Sequence, residues 1–356
     1  MKKIGVLIVE DSEVVQQLLQ HIIGDDPRLE ILAVASSAEE ALEVLQRVTP
    51  DVISLDIRLP GMNGFEATRR IMREKPTPIV VCSASVESED LKITMNALRV
   101  GALAVVEKPV GTTRVEYERL ARTLCTQLAI MSEVKVVRQR TFADSTPASR
   151  RTVEPNTRSN SGAGGPLRIL GIGASTGGPN AVVRVLSDLG QRFPLPVLLV
   201  QHMMPSFLAG FASWLDSVTP CRAVIARNGE VPVPGTVYLA PPEYHLQIEA
   251  ERIRLTQDPP VSAQRPSATL MFRSMARAVG VSGLGILLTG MGDDGADGLL
   301  ELRRAGGYTI AEHESTAVVY GMPKAAFDRG AVCECLPLTD IAPRILGLVS
   351  ASEGIG

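Results

Sequence analysis

The sequence predicts two doubly wound α/β domains joined in tandem. Its 356 residues exceed one ordinary hydrophobic core and suit two, at roughly 100–200 residues each. Short apolar runs alternate with helical patterns in two separate blocks, as parallel sheets with crossover helices require. A polar stretch rich in Ser, Thr, Pro and Gly parts the blocks.

In the first block, residues 4–9, 51–57, 79–82 and 103–106 read as buried parallel strands, and 29–35 as a weaker one. Helical periodicity over 12–23 and 38–48 sets the alternation, which totals five strands and five helices. The last helix, about 114–135, carries Leu120, Leu124, Leu128 and Met131 as one stripe, which packs on its own sheet or covers a neighbour. From 141 to 165 only Phe142 and Val153 are large and apolar. Such a segment cannot offset its ordering entropy and reads as a flexible linker. Strand patterns resume over 168–172, 197–200, 236–239, 285–288 and 308–311, with a strand or hairpin over 248–255. The expected division is one domain over 1–125, a helix end and linker over 126–165, and a second domain over 166–350.

At 45% hydrophobic and 21% charged residues the chain reads as globular. Lys and Arg number 36 against 39 Asp and Glu, with a net −4 in 1–125, +3 in 126–165 and −2 in 166–356. Neither domain offers the basic face that nucleic-acid binding needs. Five scattered cysteines without a C-x-x-C read as free thiols in a reducing compartment. Met1-Lys2-Lys3-Ile4 runs straight into a short strand and then acids, unlike a signal peptide. No apolar run approaches the ~20 residues of a membrane span. A cytoplasmic protein is the expectation.

Ligands of an open parallel sheet gather at the carboxyl ends of its strands. Glu10 and Asp11 end the first strand, Asp56 ends the one at 51–57, and Ser83 and Lys108 follow the next two. Clustered carboxylates repel unless a cation neutralises them. A hard divalent ion such as Mg²⁺ suits one or two carboxylates plus a phosphoryl oxygen, with Lys108 and Ser83 left to hold the other phosphoryl oxygens. Taken singly each is an ordinary solvated loop group. Together, on successive strand ends, they argue for a site.

The segments Val9-Glu10-Asp11-Ser12, Leu55-Asp56-Ile57-Arg58-Leu59-Pro60-Gly61-Met62-Asn63-Gly64, Cys82-Ser83-Ala84 and Glu107-Lys108-Pro109 resemble the response-regulator receiver domain, a five-stranded flavodoxin-like fold, over about 3–125. The resemblance implies that Asp56 accepts a phosphoryl group from a histidine kinase. It implies a Mg²⁺ site for that reaction, lined by Glu10, Asp11, Asp56 and the backbone carbonyl of Arg58. Lys108 would pair with the phosphoryl group and Ser83 would be the hydroxyl switch. Phosphorylation adds about −1.5 to −2 charge, enough to remodel that face.

In the second block, the strand at 168–172 leads into Gly173-Ala174-Ser175-Thr176-Gly177-Gly178-Pro179 and then a helix. Glycines 171, 173 and 177 are one residue too long for the dinucleotide fingerprint, and Pro179 removes an amide near the helix start. The literal match is G-x-S-x-G, the nucleophile-elbow pattern, whose small neighbours expose the serine hydroxyl and aim helix amides at an oxyanion. The bland alternative is a tight turn with a helix-capping Ser. A serine nucleophile needs a base, and this domain has three histidines: His202, His245 and His313. His202 lies at the end of the next strand, which favours it. Asp293 and Asp294, in a glycine turn after the strand at 285–288, can orient an imidazole or cap the next helix.

Ile172-Gly173-Ala174-Ser175-Thr176-Gly177-Gly178, Val200-Gln201-His202-Met203, Leu239-Ala240-Pro241 with His245, and Leu288-Thr289-Gly290-Met291-Gly292 resemble the catalytic domain of CheB-type chemotaxis protein-glutamate methylesterases. Arg265-Pro266-Ser267 and Gly321-Met322-Pro323 extend the likeness, which spans about 167–348 of a larger Rossmann-like domain. By position it implies Ser175 as nucleophile, His202 as general base and Asp294 as its orienting acid. Backbone amides of Met291 and Thr176 would hold the oxyanion. No cofactor serves the hydrolysis itself. Three positions depart from the family: Asp293 for Asn, Thr269 for Asp, and Glu312-His313-Glu314 for a Gln-Asp pair.

The expected function is a phosphorylation-activated hydrolase that removes methyl esters from glutamates of methyl-accepting chemotaxis receptors and deamidates glutamines there. The resemblance also implies that the unphosphorylated receiver covers the crevice. The rival reading is a phospho-switched binding module that has lost catalysis. A DNA-binding regulator is opposed by the −2 balance of 166–356, and a dehydrogenase by the glycine register.

Overall fold

The computed structural model describes residues 2–83, 88–109, 113–134, 136 and 166–353. The linker expected over 141–165, and Lys135 at the expected helix end, lie outside the described residues.

The first domain runs β1 (Ile4–Val9), α1 (Glu13–Asp25), β2 (Leu29–Ala35), α2 (Ala38–Arg47), β3 (Val52–Asp56), α3 (Gly64–Glu74), β4 (Ile79–Ser83), α4 (Ser88–Arg99), β5 (Ala104–Glu107) and α5 (Arg114–Ser132). The five strands pair in parallel in the order β2-β1-β3-β4-β5. β3 and β4 are buried at every residue, which explains why they read as continuous apolar runs rather than alternating ones. Three helices start on the same device. Ser37, Asn63 and Thr113 each accept a hydrogen bond from the amide of a glutamate three residues on, at Glu40, Glu66 and Glu116.

The second domain runs β6 (Ile169–Ala174), α6 (Gly178–Leu189), β7 (Val197–Gln201), α7 (Pro205–Val218), β8 (Arg222–Ile225), β9 (Thr236–Leu239), β10 (His245–Glu249) and β11 (Arg252–Thr256). It continues with α8 (Ala268–Ala278), β12 (Gly283–Leu287), α9 (Ala296–Arg304), β13 (Tyr308–Glu312), α10 (Met322–Asp328), β14 (Glu334–Leu336) and α11 (Leu338–Glu353). Seven strands pair in parallel in the order β14-β13-β12-β6-β7-β9-β8, while β10 and β11 form a separate antiparallel hairpin. The sheet thus has two more strands than the sequence pattern foretold. β8 and β14 are its edges, four and three residues long, with only partial burial. Short, half-exposed strands leave little apolar signature. β6 lies between β12 and β7, so the loops after these three strands adjoin one another.

The two domains share an apolar cluster that includes Met95 and Leu98 from α4 and Phe207 and Leu208 from α7. Two polar contacts cross the same boundary: Asn180 Nδ2 donates to the Leu98 carbonyl at 2.8 Å, and Ser206 Oγ donates to Glu107 Oε2 at 3.1 Å.

Helices α8 and α9 cross closely because Gly298 has no side chain. A Cβ there would lie 2.2 Å from the Thr269 carbonyl oxygen, a backbone atom that cannot swing aside. Gly298→Ala is expected to lower stability by about 1–3 kcal/mol despite the better helix propensity of alanine. Denaturant unfolding checks this, and an unchanged or raised midpoint would show that the crossing is loose.

Candidate active site and acidic pocket

Ser175 follows β6, His202 follows β7 and Asp294 lies in the turn after β12, so three adjacent strand ends bring the three residues into one region. The turn after β6 closes through Gly177, whose φ of +77° favours glycine, and the Gly178 amide donates to the Ser175 carbonyl at 2.8 Å. The Ser175 amide donates to the Thr289 carbonyl at 3.0 Å. Gly290 lies so close that a Cβ on it would be 2.7 Å from Ser175 Cβ.

His202 Nε2 lies 2.9 Å from Asp294 Oδ2. The carboxylate is buried and has three further donors. Ala268 N reaches Oδ2 at 2.7 Å, while Ser267 Oγ and Thr269 N reach Oδ1 at 2.6 and 3.1 Å. Two of these are first-turn amides of α8, the end of a helix that favours an anion. Burial alone would raise the Asp294 carboxyl. The hydrogen bond and charge of His202, with the hydrogen bonds of Ser267 and Thr269, outweigh it and hold the group below its ordinary range. Asp294 is therefore ionised at neutral pH and can only accept, so the proton of a neutral His202 ring belongs on Nε2 and its free lone pair on Nδ1.

The other sequence candidates take different places. His245 opens β10 fully buried, where its Nδ1 accepts the Ser267 amide at 3.1 Å and its Nε2 faces the carbonyls of Asp258 and Pro259 at 3.2 and 3.3 Å. It braces Ser267 instead of serving a nucleophile. His313 binds Ser315 within its own turn. Asp293 does not crowd the site, because its carboxylate pairs with Arg329 at 2.6 Å. Thr176 lines the same cavity as Ser175, and its carbonyl accepts from Thr289 Oγ1 at 2.9 Å. Met291 follows Gly290 with its side chain about half exposed. Sequence reasoning missed the parts played by Ser267 and Thr269, although Arg265-Pro266-Ser267 marked the spot. Thr269 Oγ1 accepts the Gly295 amide at 2.7 Å, so a neutral hydroxyl caps this turn beside the ionised Asp294.

Ser175, Thr176 and His202 line a cavity of about 470 Å³ whose far wall is the first domain: Met95 and Leu98 of α4, Val105 and Val106 of β5, and Arg119 of α5. The acidic pocket lies beyond the carboxyl end of β5, where Lys108 follows the strand. Lys108 Nζ is 2.6 Å from Glu10 Oε2 and 2.9 Å from Asp56 Oδ2, all three groups buried. Ligand atoms of Glu10, Asp11 and Asp56 lie within 4.8 Å of one another. Burial raises the Glu10 carboxyl, with the Asp56 charge adding to it, and burial raises Asp56 against the pull of Lys108. The Arg58 amide donates to Asp56 Oδ1 at 3.2 Å. Ser83, at the end of β4, is buried, and its hydroxyl has no partner among the described residues.

A family model described as CheB methylesterase matches residues 170–345, and one described as response regulator receiver domain matches residues 6–118. The "Protein-glutamate methylesterase/protein-glutamine glutaminase 2" of Paramagnetospirillum magneticum is 52% identical over 358 residues, covering 99% of each chain. This chain belongs to the CheB-type protein-glutamate methylesterase/protein-glutamine glutaminase family. A second CheB-type relative, from Nitrosospira multiformis, is 42% identical and covers 98% of this chain and 97% of its own. The crystal structure of the Thermotoga maritima CheB methylesterase catalytic domain is 33% identical, covers 52% of this chain and 98% of that one, and superposes with a TM-score of 0.49. The first domain is accordingly a receiver, with the cluster of Glu10, Asp11 and Asp56 typical of a Mg²⁺ site in such domains. No helix among the described residues is long and apolar enough to cross a membrane.

Among the positions where this chain departs from its family, Glu312 is a buried acid. Glu312 is 0% exposed at the end of β13. Its Oε2 accepts the Thr289 amide at 2.8 Å and its Oε1 has no partner among the described residues. Burial pushes its carboxyl up to about 7, against the opposing hydrogen bond from the Thr289 amide. The folded chain therefore keeps this proton at pH values where the unfolded chain has lost it. Stability from this group is full below the ordinary glutamate value and declines as pH rises through about 7. Glu312→Gln keeps the acceptor for Thr289 and cannot ionise. Its stability relative to wild type is expected to rise between pH 5 and pH 8, read from denaturant midpoints. A gap that does not change with pH would contradict the assignment.

Proposed function

We propose that this chain hydrolyses γ-methyl esters of glutamate, and γ-amides of glutamine, on the cytoplasmic helices of chemoreceptors, under control of phosphorylation at Asp56. The observation that carries this reading is the convergence of Ser175, His202 and Asp294 on three adjacent strand ends, with His202 Nε2 already on the Asp294 carboxylate at 2.9 Å.

Ser175 Oγ attacks the γ-carbonyl carbon, and its proton passes to His202 Nδ1. Asp294 holds the ring in the tautomer that leaves Nδ1 basic and stabilises the imidazolium that follows. The tetrahedral oxyanion forms beside the turn of Ser175 and Thr176, with backbone amides of Thr176 and Met291 as donors, each such donor supplying about 10²–10³ in rate. Collapse returns the proton to the leaving group, so methanol departs from an ester and ammonia from an amide. Water then attacks the acyl-enzyme, gives its proton to His202, and frees the glutamate carboxylate and Ser175.

Glu10, Asp11 and Asp56 set three carboxylates against the single ammonium of Lys108, a donor set that suits a hard divalent cation. Their side chains, with the Arg58 backbone carbonyl, would hold Mg²⁺, which when bound offsets the negative charge of phosphoryl transfer. Asp56 accepts the phosphoryl group from a histidine kinase; Lys108 and Ser83 hold its oxygens. In the unphosphorylated chain Met95, Leu98 and Val106 wall the cavity of Ser175, which supports a blocked resting state. Glu107 ties β5 to Ser206, so a shift of Lys108 toward a phosphoryl group is positioned to loosen that tie.

Release of methanol from methyl-labelled receptors tests the chemistry. Ser175→Ala is expected to lower the rate by about 10⁴-fold or more with the chain still folded, and a retained rate would sink the mechanism. Asp56→Asn is expected to keep the basal rate and lose its stimulation by a small acyl phosphate. Continued stimulation would place the control elsewhere.

A further inference from the structure

We propose that Gln201 is a positioning residue that sets the nucleophile and the base in register with each other. The proposal rests on Ser175 and His202 having those roles. Gln201 is the last residue of β7 and is buried. Its single side-chain amide spans the two loops: Nε2 donates to the Ser175 carbonyl at 2.8 Å and to the His202 carbonyl at 3.0 Å. Both amide hydrogens are thereby used on the two residues whose side chains must meet.

The need for such a tie follows from the fold. The ladder between β6 and β7 ends with the His202 amide donating to the Ala174 carbonyl at 2.9 Å. Beyond that point no strand pairing fixes one chain against the other. The carbonyls of Ser175 and His202 are left at the rim of the sheet, and Gln201 supplies donors to both. The orientation of its amide is set by these two acceptors, since a flipped group would place its oxygen against two carbonyl oxygens.

Two further observations show how tightly the group is held. Gln201 Oε1 is buried without a partner among the described residues, so the orientation is kept although it leaves an acceptor unused. Gly178 makes room for it: a Cβ there would lie 2.2 Å from Gln201 Oε1. The same Gly178 donates its amide to the Ser175 carbonyl, so that carbonyl has two donors and the turn is fixed from both sides. A displacement of about 1 Å between reacting groups is enough to cost ~10²-fold in rate.

Gln201→Met and Gln201→Glu in the full-length chain, activated with acyl phosphate, test this with methylated receptor as substrate. Gln201→Met keeps the bulk and removes both donors. It is expected to lower kcat per folded molecule by at least tenfold, with KM within about twofold of wild type and the same deficit at every pH. Gln201→Glu is expected to be as slow at pH 8 but to recover part of the deficit toward pH 6, as its buried carboxyl takes up a proton and can donate one hydrogen bond again. A purely structural role would lower the folded fraction without lowering kcat of the folded molecules and would show no such recovery. Full kcat in folded Gln201→Met overturns the proposal. Failure of both variants to fold at either pH also overturns it, making Gln201 a folding residue. Ser175→Ala run alongside separates the two levels. An active Ser175→Ala rejects the triad itself, whereas an inactive one beside unimpaired Gln201 variants rejects only the positioning role.

Discussion

The buried charge of Asp294 is the constraint on which the catalytic half of this molecule depends. An ionised carboxylate in the interior is costly unless every oxygen is matched by donors, and here four donors converge on it: Ser267 Oγ, the amides of Ala268 and Thr269, and His202 Nε2. Satisfying one charge therefore ties together the turn after β12, the start of α8 and the loop after β7. The supports continue outward. His245 holds the Ser267 amide, and Thr269 Oγ1 holds the amide of Gly295, the residue after Asp294. Gly298 lets α9 approach the Thr269 backbone closely enough to keep α8 in place. The imidazole thus inherits its orientation from a helix terminus, and in the proposed mechanism the carboxylate needs no reorganisation as charge develops on the ring.

Control is built on a different kind of contact. The receiver side of the cavity that holds Ser175 includes apolar Met95, Leu98 and Val105 beside Arg119, Thr123 and Gln127, and the same cavity is lined by Pro179, Met203 and Phe207. The receiver's acidic pocket of Glu10, Asp11, Asp56 and Lys108 is ionic and lies beyond the carboxyl end of β5. The alternation of a strand links the two. Neighbouring side chains point to opposite faces, so Lys108 reaches Asp56 while Glu107 reaches Ser206 on the catalytic domain. An apolar contact with few directional bonds suits the proposed role of the receiver as a removable cover. The polar ties, Glu107 to Ser206 and Asn180 to the Leu98 carbonyl, fix the register of the two domains.

Much of this architecture was legible in the chain. Buried parallel strands such as Val52–Asp56 and Val197–Gln201 are continuous apolar runs, so reading strand ends placed Asp56 at the end of β3 and Ser175 and His202 just past β6 and β7, where the structure has them. Asp294 was harder, because two aspartates stand side by side and only tertiary contacts separate one that pairs with Arg329 at the surface from one buried on α8. The second rank of the site was hidden for the same reason. Nothing local distinguishes His245 as a brace from His245 as a base, or marks Glu312 as wholly buried at a strand end. The edge strands Arg222–Ile225 and Glu334–Leu336 were missed because short, half-exposed strands lack a period. Which helix of the receiver meets the catalytic domain was likewise silent, since an apolar stripe does not name its partner.

The central claim is that Asp294 fixes the proton of His202 on Nε2 and leaves Nδ1 free for Ser175. Nitrogen-15 chemical shifts of the neutral His202 ring, measured in the full-length protein and in Asp294→Asn, test it most directly. The account predicts a protonated Nε2 and an unprotonated Nδ1, with that preference weakened or lost in the variant. A neutral His202 carrying its proton on Nδ1, or a tautomer unaffected by Asp294→Asn, would contradict it.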